Sequence, residues 1–159
     1  MPADASSFVA GHYNITWNAL ALGTTEQGLT ITPAYNKEEI RVDDFGDVVA
    51  DGIYRGYNLR ISFELLEWTK AGRQALQFPF DSTLGTLDGI GKTLAGSFAH
   101  PLICTPVSNI NAANKIYTFP LTIPDGDHGA WNLNTKVRRV RCNLLVLPNL
   151  ANGLLFTET

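Results

Sequence analysis

The chain has 159 residues, of which 45% are hydrophobic and 17% charged, with a formal net charge of −3. That length makes one domain the default and lets about 70% of the unfolded surface be buried, so neither disulfides nor a structural metal is demanded. The acidic balance argues against a dedicated nucleic-acid reader, which carries a basic excess.

Residues 1–11 are mostly small or polar and read as an N-terminal arm. They lack a basic segment followed by an apolar run, and no later run reaches transmembrane length, so the expectation is a soluble chain made in the cytosol. Residues 13–22 hold Ile15, Trp17 and Leu20 and read as a first strand ending at Gly23, with a turn at 24–28. Residues 29–31 start the next strand, and Ile40 and Val42, alternating with Arg41 and Asp43, mark its return partner. The polar stretch 33–39 between them reads as a hairpin tip, and 44–52 as a loop.

The strongest periodicity follows. Tyr57, Leu59, Ile61, Phe63 and Leu65 alternate with Asn58, Arg60, Ser62 and Glu64. Successive side chains of a strand point to opposite faces, so this is a strand with one buried and one wet face. Trp68, Ala71, Gly72, Ala75 and Leu76 then fall at helical spacing, and Phe78-Pro79-Phe80 closes that helix. Residues 81–96, rich in Gly, Thr and Asp, read as a flexible loop. Residues 102–107 read as a short strand broken by Pro101 and Pro106. Residues 117–123 alternate again, with Tyr117, Phe119, Leu121 and Ile123 on one face; Pro120 demotes the strand to an edge or a bulge. After a turn at 125–129, residues 137–147 form the last strand, with Val140, Cys142, Leu144 and Val146 inward. Leu145 and Leu147 stand on its other face, where an open sheet would leave them uncovered. The fold class is mainly β, a single domain built as a sandwich or small barrel with one short flanking α-helix.

Chemical motifs are few. Cys104 and Cys142 sit in apolar surroundings, far apart in sequence, and read as buried reduced thiols. Gly89-Ile90-Gly91-Lys92-Thr93 resembles the end of a phosphate-binding loop, but the pattern needs glycine where Thr86 stands. Asp125-Gly126-Asp127-His128-Gly129 lacks calcium-loop spacing and reads as a turn. His12, His100 and His128 are dispersed, and Glu64 and Glu67, which straddle the strand–helix junction, read less as a catalytic carboxylate pair than as a Glu67 that meets the helix dipole favourably. Trp17, Trp68 and Trp131 read as core or interface anchors. No catalytic, cofactor or metal constellation is present in this reading, and an enzyme is not expected.

Charge is unevenly placed. Glu38, Glu39, Asp43, Asp44, Asp47 and Asp51 crowd one segment, and Lys136, Arg138, Arg139 and Arg141 another. Two solvated faces are one explanation. Opposite patches meeting between identical subunits are the other, because complementary potentials fix the register of association.

The order and spacing of 23–31, of Ile40-Arg41-Val42-Asp43-Asp44-Phe45-Gly46, of Gly52-Ile53-Tyr54-Arg55-Gly56 and of 59–67 with its Leu66-Glu67 pair resemble the tail tube proteins of long-tailed, siphovirus-like bacteriophages. The likeness covers roughly the first half of the chain, and the loop at 81–96 departs from it. The resemblance implies a structural virion protein, a β-sandwich or barrel subunit with a flanking helix. Such subunits polymerise as stacked, hexameric rings into a tail tube, assembled in the host cytoplasm, that DNA traverses during ejection. It implies other copies of the chain as partners, with tape-measure, tail-terminator and baseplate or tip proteins, no membrane, and DNA in transit without specific binding. On that reading Asn58, Arg60, Ser62 and Glu64 are the lumen-lining candidates. Asp43, Asp44, Asp47, Arg138, Arg139, Arg141, Leu145 and Leu147 are the candidates for subunit contacts. Two other readings compete: a capsid-decorating or head–tail joining protein, separated by the assembly formed, and a small β-barrel enzyme or ligand-binding module, separated by a deep pocket with convergent polar groups.

Overall fold

The computed structural model describes residues 12–42, 48–66, 71, 72, 76, 91, 93, 96, 98–107, 115–126 and 140–159. Among them the strands are β1 (Tyr13–Trp17), β2 (Leu20–Val42), β3 (Val48–Leu65), β4 (His100–Pro106), β5 (Tyr117–Pro124), β6 (Val140–Val146) and β7 (Thr157–Glu158). Every pairing is antiparallel. The order β4-β1-β2-β3-β6-β5 closes on itself through a ladder between β4 and β5, so these strands form a barrel, and β7 adds to β5. Closure removes the unpaired edges that an open sheet would present.

The barrel interior is filled from the alternating faces read in the sequence. Ile61 from β3, Leu102 and Cys104 from β4, Phe119 from β5 and Leu144 from β6 are fully buried, and Ile15 and Trp17 from β1 nearly so. Both thiols are free and buried. The Trp17 indole Nε1 donates to Thr122 Oγ1 at 2.8 Å, and that hydroxyl donates to the His100 carbonyl, also at 2.8 Å. The His100 ring stands edge-on to Trp17, 5.2 Å between centroids. This relay stitches β1, β4 and β5 together at the seam where the barrel closes.

Several elements differ from the sequence reading. Residues 13–22 are two strands: Asn18 and Ala19, at φ of 50° and 60°, form a two-residue reversal between β1 and β2. Positive φ at both central positions is what a tight hairpin requires. The segment 24–28 is no turn but a bulge within β2, where residues 26–28 lie between the Thr25↔Leu65 and Leu29↔Phe63 pairs and Gly28 takes φ of 82°. Thr25 is buried there, and its hydroxyl bonds the backbone N and O of Tyr13, each at 3.3 Å, in place of regular ladder bonds. The expected hairpin tip at 33–39 is continuous strand, with Pro33 opposite Leu59. β1 has ended by that point, so among the described residues β2 is an edge strand there, where a missing N–H is tolerated. Residues 48–52 of the expected 44–52 loop belong to β3. Pro101 lies inside β4 rather than breaking it, and Pro106 is the residue at which β4 ends.

β5 carries the irregularity that Pro120 foretold. Between the pairs His100↔Thr122 and Leu102↔Phe119, β5 has one residue more than β4. The extra residue reverses the inward parity, so Thr122 is buried and Leu121 half-buried, against the simple alternation expected. The last strand is not β6: a turn bridged by Asn149 and Leu154 leads on to β7. Of the expected helix, Ala71, Gly72 and Leu76 have helical backbone and Leu76 is fully buried, while Trp68 and Ala75 lie outside the described residues. No complete helix is present among the described residues. The 1–11 arm, the 81–96 loop except Gly91, Thr93 and Gly96, Trp131 and His128 also lie outside them.

Candidate assembly interface

The wet face of β3 is polar and balanced in charge. Thr32, Arg60 and Leu145 lie in one row across β2, β3 and β6, Thr30, Ser62 and Asn143 in the next, and Glu64 pairs with Arg141 beyond them. Asp125, just past β5, brings Oδ2 to 3.2 Å from Arg60 Nε. Arg60, the one base among the lumen candidates, is thus answered by an acid, and the row of Glu64 holds one charge of each sign. Arg60 is mostly solvent-exposed and Asp125 partly buried, so the pair is worth about 0–1 kcal/mol, but it cancels local charge all the same. Ser62, Arg60, Asn143, Arg141 and Asp125 border a shallow cleft of about 340 Å³. Asn58, Arg60, Ser62 and Glu64 share this face, as the alternation demanded, although Asn58 lies beyond the end of β6, opposite Ala34. Leu145 and Leu147 are half-buried rather than bare.

A second surface has no counterpart in the sequence reading. β6 pairs with β3 only from Leu59 to Leu65, and β1 pairs with β2 only up to Thr24. Beyond these limits β2 and β3 continue together as a ribbon, from the Ala34↔Asn58 pair out to Val42↔Val48. At about 3.3 Å per residue the β3 arm, residues 48–58, projects roughly 35 Å. Almost every described ribbon residue is exposed; only Gly56 is partly covered. A two-stranded hairpin alone is marginal in water, and here it bares large apolar side chains on top of that.

Those side chains are organised. Tyr35 pairs directly with Tyr57, and Tyr54 meets Tyr57 edge-on at 5.7 Å. The exposures of Tyr35, Tyr54 and Tyr57 are 61%, 60% and 55%. Tyr57 was expected to be buried with Leu59 and Ile61; it is not, because the strand that would cover it ends at Val146, opposite Leu59. Nearer the tip, Ile40, Val48, Val49 and Ile53 are exposed as well. A clustered group of rigid amphipathic rings bounded by charges is the composition of a contact surface.

Charge on the ribbon is largely self-contained. Glu39 Oε1 is 3.1 Å from Lys37 Nζ and its Oε2 accepts from Arg41 Nη2 at 3.2 Å, and these hydrogen bonds hold its carboxyl below the ordinary range. Glu38 pairs with Arg55 across the two strands. Asp51 accepts from the Gly52 amide. Arg141, from the expected basic patch, is on the barrel beside Glu64, far along β3 from the acidic segment. Within one subunit Arg141 is therefore not beside Glu38, Glu39 or Asp51. Asp43, Asp44, Asp47, Arg138 and Arg139 lie outside the described residues.

No protein-family model matches the chain, and no curated protein matches it. Among solved structures it is similar to Hcp1 from Flavobacterium johnsoniae, at 9% identity over 85% of this chain and 89% of that one, with a TM-score of 0.40. Function is therefore read from the chain's own geometry. Among the described residues no group of three or more His, Cys, Asp or Glu side chains is placed to hold a metal ion.

Proposed function

We propose that the chain is a structural subunit that associates with copies of itself, its ribbon reaching onto a neighbouring subunit. The observation that carries this is the bare ribbon. A closed barrel that has buried its own edges extends two long strands whose outer edges have no partner strand among the described residues and which bear a tyrosine cluster, and that surface costs solubility unless another chain covers it. A second copy is the cover always at hand.

The finer reading is that the copies form closed, hexameric rings that stack into a hollow tube, as the sequence resemblance to phage tail tube proteins implies. On this reading the Asn58, Arg60, Ser62 and Glu64 face lines the channel. The pairing of Arg60 with Asp125, and Glu64 beside Arg141, favour passage over binding. A basic wall would hold DNA by counterion release, whereas a balanced one lets it slide. The role is structural rather than catalytic. Asp43, Asp44, Asp47, Arg138, Arg139 and Arg141 remain candidates for contacts between subunits, where the acidic and basic segments can meet.

Light scattering during size exclusion over a range of concentrations tests the association. Large species growing with concentration are expected, and a monomer at every concentration would remove the reading. Rings or caps that never stack would instead favour a decorating or joining protein.

A further inference from the structure

We propose that β7 is a displaceable strap, which closes the edge of β5 in the single subunit and gives it up, on association, to the outer edge of the β3 ribbon of a second copy. This rests on the self-association reading.

β4 runs along one edge of β5. On the opposite edge β6 pairs with Thr122, Ile123 and Pro124, the Leu147 amide donates to the Leu121 carbonyl at 2.9 Å, and β7 pairs with Tyr117 and Thr118. β7 is two residues long, extended by mutual backbone bonds between Ile116 and Thr159 at 2.8 and 3.0 Å. Its side chains are exposed. Its apolar hold is Leu155, partly buried against the core, and Phe156, 41% exposed, with ring centroids 5.8 Å from Phe119 and 6.5 Å from Tyr117. A segment with so short a ladder, exposed from Phe156 onward, opens below the cost of global unfolding. The turn at 149–154 lets it leave without disturbing β6.

Two further features point the same way. Near the strap, Tyr13 is 6% exposed, packed 6.3 Å from Tyr117, and its hydroxyl has no hydrogen-bond partner among the described residues. Buried polar groups are seldom left so, and a repacked strand at this site can supply the missing acceptor. The incoming strand is also in the right place. Tyr117 lies past the Thr122↔Val146 pair, at the end of the barrel from which the ribbon leaves, and residues 48–58 of β3 have β2 on one side and no described strand on the other. One open edge that accepts and one that donates, in identical copies, make a strand-addition contact that repeats head to tail.

The test is a reversible tether. Thr118 and Thr157 are direct cross-strand partners, so Thr118→Cys with Thr157→Cys can lock the strap. The native thiols do not compete, since burial pushes both up to about 12. The oxidised variant should need roughly a tenfold higher concentration to associate than the same protein reduced, with an unchanged or higher melting temperature. Phe156→Ala, which loosens the strap, should lower that threshold. Equal behaviour of oxidised and reduced forms, or a raised threshold in Phe156→Ala, would overturn the inference alone. A wild-type chain that stays monomeric removes the self-association reading, and this inference with it.

Discussion

At the scale of single residues, the seam of the barrel depends on one hydroxyl. Thr122 accepts from Trp17 and donates to His100, so Thr122→Val orphans an indole N–H and a carbonyl together while keeping the side-chain shape. A loss of about 1–3 kcal/mol per orphaned group is expected by denaturant titration, and Thr122→Ser should recover most of it. The two cysteines give a pH signature. Burial lifts Cys104 and Cys142 from an ordinary value near 9 to about 12. A thiol that keeps its proton longer when folded contributes stability fully below the unfolded value, and that contribution is lost as pH rises from about 9 toward 12. Stability should fall over this window, and fall less steeply in the Cys104→Ala, Cys142→Ala double variant. The raised Tyr13 and Tyr117 hydroxyls, lifted first by burial, act in the same direction above pH 10. At pH 8 a thiol reagent should label neither cysteine until denaturant is added.

The ribbon and the polar face make separable predictions at the scale of elements. Tyr57→Ser with Tyr35→Ser removes rings that are more than half exposed, so stability should stay within about 0.5 kcal/mol of wild type while association is lost. Undiminished light scattering would move the contact elsewhere. Ser62→Lys adds one charge to the balanced face. If Ser62 lines a channel, association should persist and DNA affinity appear, steeply salt-dependent; loss of association would place Ser62 in a contact instead. Much of this architecture was legible: 59–65 and 140–146 read correctly because both faces there meet different surroundings. Tyr57 did not, because alternation reports which way a side chain points and not where the neighbouring strand stops. The β1–β2 reversal was missed since Asn18-Ala19 lacks the glycine that usually marks positive φ, and Pro33 disguised a continuous strand as a tip.

At the scale of the whole molecule, the fold is closed in one part and open in the other. The barrel pairs its edges and buries a continuous core, while β2 and β3 run on past their neighbours into solvent. Length alone therefore misled the expectation of two short strands joined by a polar tip. The charge segments were read either as solvated faces or as patches meeting between subunits; of their described members, Glu38, Glu39 and Asp51 stand on the ribbon and Arg141 on the barrel. The central claim is that the bare ribbon is covered by another copy of the chain. Electron microscopy of the purified protein at high concentration tests it most directly. Stacked hollow rings, with the ribbon of each subunit lying on its neighbour, are the result this account predicts; dispersed single barrels with free ribbons, at any concentration, would contradict it.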